Sequence, residues 1–185
     1  MKNRFTAKRI AINAVLVALY IGLAMFSFIL GGVKVTLEGL PVVICAIVFG
    51  PIDAVIVGFL GEFVNQMLTF GFTPTTLLWI LPAVARGLFL GLTVLLLKRN
   101  ADTGAVLQSW RAGVVIALCA VSGMIASCFN TLAYYVDSKM FGYYNYTLVL
   151  GVFWIRFLMG GAVSAAMGAV TLPVTMALRR ARLIK

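Results

Sequence analysis

The sequence predicts an all-α integral membrane protein, a compact bundle of six transmembrane helices with both termini in the cytoplasm. Composition is the first observation behind this. Of the 185 residues, 63% are hydrophobic and 11% charged, and the mean hydropathy is +1.08. A soluble domain carries roughly 45–50% apolar and about 25% charged residues. Fifteen basic and five acidic side chains cannot coat a water-facing globule, so a soluble enzyme, a disordered tail and a collagen-like rod are excluded. The second observation is a series of uncharged runs, at 10–33, 39–52, 63–85, 112–136, 140–155 and 157–178. The third is that basic residues gather at the ends of these runs, as topology anchors do.

The elements follow in order. The first helix covers about 10–31, since one span needs roughly 20 residues. Its apolar run, 24 residues between Arg9 and Lys34, is too long for a cleavable signal sequence. Region 38–70 is long for one span and short for two, and charge parity decides for two. Gly50-Pro51 marks the break, giving helices at 39–50 and 52–70. The former is short and should lie against protein. Asp53 then falls in a first helical turn, where the helix dipole favours an acid. Helices at 75–97, 112–136 and 148–178 complete the six, in a single domain over 1–185. The last exceeds what a bilayer requires, so it tilts or projects. Loops 32–37 and 137–147 lie outside, the latter with Tyr143, Tyr144 and Tyr146 as an interfacial aromatic belt.

The net charge of +10 raises a nucleic-acid partner, but its placement answers otherwise. Lys2, Arg4, Lys8 and Arg9 sit at one terminus and Arg179, Arg180, Arg182 and Lys185 at the other. Lys98, Arg99 and Arg111 flank one loop. These eleven fall on the proposed inside, whereas Lys34 and Lys139 fall outside. No nucleic acid is expected. Cys45, Cys119 and Cys128 lie in apolar runs without paired spacing, so no disulfide framework is expected. Histidine is absent, which removes His-based metal sites and His general bases. No phosphate-binding G-x-x-x-x-G-K-[ST] loop occurs. No catalytic residue, metal or cofactor is therefore assigned, and the chain does not read as an enzyme.

Charges inside a bilayer cost at least about 2.5–3.5 kcal/mol each and mark functional positions. Glu62, Arg86 and Arg156 qualify, at similar depth in their helices. Glu62, Asn65, Gln66 and Thr69 share one face of the third helix. Thr75, Trp79, Pro82 and Arg86 form a stripe on the fourth, and Ser127, Asn130, Thr131 and Tyr134 another on the fifth. On the sixth, Arg156 aligns with Phe153, Gly160 and Ser164. Such stripes at one depth describe a cavity. Its substrate-binding residues are Glu62, Asn65, Gln66, Trp79, Arg86, Asn130, Tyr134, Phe153 and Arg156. Two arginines suit a carboxylate through forked hydrogen bonds. Glu62 can accept from the paired N–H donors of a heterocycle, and Trp79, Phe153, Trp154 and Tyr134 offer flat faces. The alternative is that Glu62 only pairs with Arg86 or Arg156 and holds helices together. Ala14, Ala18 and Gly22 recur every four residues on the first helix, which allows close approach of a helix, either internal or from another subunit.

Several segments resemble those of one transporter family. They are Ala14-x-x-x-Ala18, the block Leu40-Pro41 … Phe49-Gly50-Pro51 … Gly58 … Gly61-Glu62, and Thr73-Pro74-Thr75-Thr76-Leu77-Leu78-Trp79-Ile80-Leu81-Pro82 followed by Arg86-Gly87. With the length and helix count, they resemble the S component of an energy-coupling factor (ECF) vitamin transporter, a form of ABC importer, nearest its folate-type branch. The resemblance covers nearly the whole chain. It implies a multi-pass subunit of the bacterial cytoplasmic membrane that binds a vitamin with high affinity and has no ATPase. It implies docking through Ala14, Ala18 and Gly22 onto a transmembrane scaffold subunit carrying two ATPases. It also implies a gate over the pocket in the loop Gly31 to Glu38, with Lys34 and Glu38.

Folate is the leading ligand, with pantothenate or riboflavin as alternatives. A self-sufficient proton-coupled transporter and a structural membrane protein without a ligand are the other classes.

The topology has a direct check. In a cysteine-free background, a cysteine at Lys139 is expected to react with an impermeant thiol reagent in intact cells, and one at Asp102 to stay unlabelled. Reversed labelling would overturn the six-helix arrangement.

Overall fold

Hydrocarbon offers no partner to a backbone N–H or C=O, so long apolar runs fold as helices that satisfy themselves. The computed structural model describes residues 7–30, 33–99 and 109–180. Its elements are α1 (Ala7–Met25), β1 (Ser27–Leu30), β2 (Val33–Thr36), α2 (Gly39–Val48), α3 (Pro51–Phe70), α4 (Thr76–Arg99), α5 (Ser109–Met140), a π-helical turn (Thr147–Gly151) and α6 (Phe153–Arg180). Among the described residues, five helices are long and apolar enough to cross a membrane. The second is not: its 10 residues rise about 15 Å, half of a hydrocarbon core of about 30 Å. It is instead an interior element. Val42, Val43, Cys45 and Ala46 are fully buried, and α2 packs against α1, α3, α4 and α6.

The expected break between the second and third helices falls where Gly50 and Pro51 place it. Gly50 adopts φ 97°, a conformation open to glycine, and Pro51 starts α3. Two other boundaries differ from expectation. The first helix ends at Met25 rather than near 31, because Ser27–Leu30 and Val33–Thr36 pair as an antiparallel hairpin, with Leu30 opposite Val33. Gly31 and Gly32 lie outside the described residues. The last helix does not run unbroken from 148. Thr147–Gly151 forms a π-turn, started by Asn145, whose Oδ1 accepts from the Thr147 N–H at 2.9 Å. The regular helix begins at Phe153.

Small residues set the crossings. An added Cβ at Gly87 on α4 would lie 2.8 Å from the Ala54 carbonyl oxygen on α3, and one at Gly91 would strike Pro51 Cα. On α6, an added Cβ at Gly160 would lie 3.0 Å from the Gly123 carbonyl oxygen of α5, and one at Gly168 would lie 2.9 Å from Cys119 Cβ. Close backbone approach is how helices associate where apolar burial gives no advantage over lipid. The Gly160, Ser164 and Gly168 stripe is thus internal packing.

Polar groups tie α1 to α2 and α3. Arg9 donates from Nε to Asp53 Oδ1 at 2.9 Å and pairs through Nη2 with Oδ2. Asn13 Nδ2 donates to Asp53 Oδ1 at 2.6 Å, and the guanidinium stacks 5.7 Å over the Phe49 ring. Asp53 is fully buried and Arg9 14% exposed. Arg9, counted from sequence among the anchors, is therefore also an interhelical partner. Removing one member of a buried pair costs about 3–5 kcal/mol. The residual exposure of Arg9 places Asp53→Ala at the low end, about 3 kcal/mol by the same comparison. Denaturant unfolding of the purified variant should show this loss, and unchanged stability would mean that the pair does not hold α1 in place.

Candidate ligand-binding cavity

α3 and α4 run antiparallel, as do α5 and α6. The C-terminal halves of α3 and α5 therefore meet the N-terminal halves of α4 and α6 at one end of the bundle. A cavity of about 640 Å³ opens there, inside the roughly 300–1,000 Å³ typical of small-molecule sites. Glu62, Asn65, Gln66, Trp79, Arg86, Asn130, Tyr134 and Arg156 all line it. Phe153, assigned to the site from its register on the sixth helix, is not on the wall. It is the first residue of the regular helix, and its ring packs on Trp154 at 5.3 Å and Phe157 at 5.8 Å. Trp154, read as a stacking face, is 67% exposed.

Glu62 is nearly buried, and its donors come from protein. Tyr20 Oη donates to Oε2 at 2.8 Å, Asn65 Nδ2 to Oε2 at 3.2 Å and Gln66 Nε2 to Oε1 at 2.7 Å. These take three of the roughly four acceptor positions of a carboxylate. The helical i, i+3, i+4 spacing of 62, 65 and 66 makes two of these bonds local. The pairing of Glu62 with Arg86 or Arg156, left open from sequence, is not what satisfies it. Each amide turns its NH₂ group toward Glu62 and donates one hydrogen bond to it, which directs Asn65 Oδ1 and Gln66 Oε1 away from the carboxylate as acceptors.

Arg86 contrasts with Glu62. Its Nε is buried and has no hydrogen-bond partner among the described residues. Its guanidinium rests against Gly39, at the start of α2, where an added Cβ would overlap Nη1. Arg156 stacks on Tyr134, with Cζ 5.0 Å from the ring centroid, and its backbone carbonyl accepts from Ser127 Oγ at 3.1 Å.

Asp137 was not singled out from sequence. Near the end of α5 it lines the cavity and accepts from Thr75 Oγ1, from Tyr143 Oη and, at 3.5 Å, from Trp79 Nε1. Tyr143, read as part of an aromatic belt, also lines the cavity, edge-on to Tyr134 with centroids 6.1 Å apart. Partial burial, then the hydrogen bond to Asp137, push its phenol well above the ordinary tyrosine range, so it remains a donor at neutral pH. Tyr144 does lie away from the wall, under Lys139 Nζ at 4.0 Å. Tyr20, from α1, and Glu38, between β2 and α2, complete the charged and phenolic lining. Asp137 sits in the fourth-from-last position of its helix, and drawing that helix to Met140 instead of 136 would have placed it within the helix.

The remaining positions lie elsewhere. Ala14 and Ala18 are exposed and Gly22 half-buried, because the buried face of α1 is Asn13, Leu16, Tyr20 and Ala24. Nothing lies within 4 Å of a Cβ added at Gly22. Lys34 belongs to β2. Among the described residues no cluster of three or more His, Cys, Asp or Glu side chains is placed to hold a metal ion.

Comparison with known proteins adds one finding. A family model described as ECF transporter, substrate-specific component, matches residues 8–178. No curated protein matches the sequence.

Proposed function

The chain belongs to the ECF transporter substrate-specific component family, a family of multi-pass transporter subunits that bind substrate and catalyse no reaction, and from that premise we propose that it captures a carboxylate-bearing vitamin, folate foremost, at a bacterial cytoplasmic membrane. The observation that carries the carboxylate is Arg86. Both Glu62 and Asp137 already receive three protein donors, whereas Arg86 lines the cavity with its Nε buried and without a hydrogen-bond partner among the described residues. A buried donor left unpaired costs free energy that an incoming carboxylate would recover. The flat part of the ligand would lie against Trp79 and Tyr134, whose rings stand edge to face at 6.3 Å. Its N–H donors would meet Asn65 Oδ1 and Gln66 Oε1, the acceptors that Glu62 leaves unused. Glu62 itself then orients the amides.

Energy would come from partners: a transmembrane scaffold subunit and two ATPases. The exposure of Ala14 and Ala18, with Gly22 half-buried beside them, supports α1 as the docking helix, since none of the described residues buries the two alanines. The hairpin and Glu38 would form the gate, supported by Val35, Thr36 and Glu38 on the cavity wall.

Two experiments test this reading. A charge-assisted hydrogen bond contributes on the order of 1.5–3 kcal/mol. At about 1.4 kcal/mol per decade, Arg86→Ala and Arg156→Ala should each weaken folate binding roughly 10- to 150-fold in calorimetric titration. Wild-type affinity in both folded variants would remove the arginines from the site. For docking, Ala14→Trp or Ala18→Trp should abolish ATP-dependent uptake by the assembled transporter while the isolated subunit still binds ligand. Loss of binding with assembly intact would assign the stripe to internal packing.

A further inference from the structure

Gly39 is a glycine that its backbone does not require. It lies in the first turn of α2, and among the described glycines positive φ values occur at Gly50, Gly71 and Gly142, not here. Within a helix, glycine is less favourable than alanine. Space is the reason for it. An added Cβ would overlap Arg86 Nη1, lie 2.9 Å from Arg86 Cζ and 3.3 Å from Met167 Sδ.

The identity of these atoms separates Gly39 from the glycines at helix crossings. At Gly58 and Gly87 the obstacle is a backbone carbonyl, of Ala83 at 3.0 Å and of Ala54 at 2.8 Å, so a substitution there pushes whole helices apart. At Gly39 the obstacle is the far end of two flexible side chains, both of which line the cavity. An alanine would leave the helices in place and move the guanidinium.

We propose that Gly39 is a specificity-determining position, the seat that holds the Arg86 guanidinium against the start of α2 and so fixes where in the cavity a ligand carboxylate is received. The inference rests on the reading of Arg86 as the carboxylate partner. It adds that the geometry of this contact is set from a different helix, at the junction with the β-hairpin. Arg86 reaches Gly39 from the middle of α4, and the same guanidinium has its Nε buried and unpartnered. A head displaced from the seat retains its charge but loses its fixed fork, which is what a bidentate carboxylate contact needs.

The test uses the purified full chain with two probes, folate and folate whose carboxylates are converted to amides. Gly39→Ala should weaken folate at least ~10-fold, the loss of one charge-assisted hydrogen bond. It should leave the diamide at wild-type affinity, and add no further loss to Arg86→Ala. Folate bound at wild-type strength by Gly39→Ala, while Arg86→Ala loses it, would overturn the seat and spare the pocket assignment.

A ligand-free measurement decides the seat even if the wild type does not bind folate, in which case the ligand reading alone fails. Phenylglyoxal modification, read peptide by peptide by mass spectrometry, should change several-fold at Arg86 in Gly39→Ala and stay constant at Arg156. An unchanged Arg86 rate overturns the proposal. Should Gly39→Ala fail to fold, the double variant with Arg86→Ala should fold, because it removes the obstructing group. Failure of both would place the clash elsewhere and overturn the proposal as well.

Discussion

A carboxylate carried into the middle of a helix bundle has to be supplied with donors, and Glu62 draws them from two helices. Asn65 and Gln66 come from its own helix, one turn on, and Tyr20 from α1. Much of the surrounding architecture follows from that supply. The Tyr20 ring crosses α3 at Gly61, where an added Cβ would come within 2.6 Å of Tyr20 Cγ. The glycine before the acid is thus what lets the phenol reach it. The amides, once turned toward Glu62, expose their carbonyl oxygens and set the polarity of one wall. A neutral residue at 62 would free Tyr20, Asn65 and Gln66 together, so its effects would spread beyond one contact.

The cavity is bounded by acids that are already satisfied and by arginines that are differently engaged. Glu62 and Asp137 each accept from three protein groups, Arg156 lies on an aromatic face, and Arg86 lies on a glycine. Counting charges on the wall would therefore mislead, because three acids and two arginines line it. What governs an incoming molecule is unspent hydrogen-bonding capacity, since a satisfied carboxylate offers little and a buried N–H without a partner offers much.

The long helices were legible because hydrocarbon demands about 20 apolar residues per span, a local property. Gly50-Pro51 and the 62, 65, 66 stripe were legible for the same reason: each is settled within a turn or two of its own helix. The hairpin was concealed by Phe28, Ile29 and Leu30, which continue the apolar run of α1. The signal that would have exposed it was Gly31-Gly32 between segments rich in β-branched residues. Tyr20, Asp137 and the double role of Arg9 were not legible. Their partners lie 42, 62 and 44 positions away, and no spacing rule along one helix reports such contacts. Phe153 is the converse case: its spacing aligns it with Arg156, yet its ring packs on Trp154 and Phe157 and does not line the cavity.

α1 is fastened to the rest of the chain along one edge, by Asn13 and Arg9 at one end and by Tyr20 further on. To the cavity it contributes Tyr20. Ala14 and Ala18, on its exposed edge, are not among the residues that line the cavity. The lining of the cavity and the exposed edge of α1 are in this way separate surfaces of the chain. Substitutions on α3 to α6 can change what the cavity accepts without redrawing the outward edge of α1. On the docking reading proposed for α1, the lining of the cavity can therefore vary while the edge offered to a scaffold subunit stays as it is.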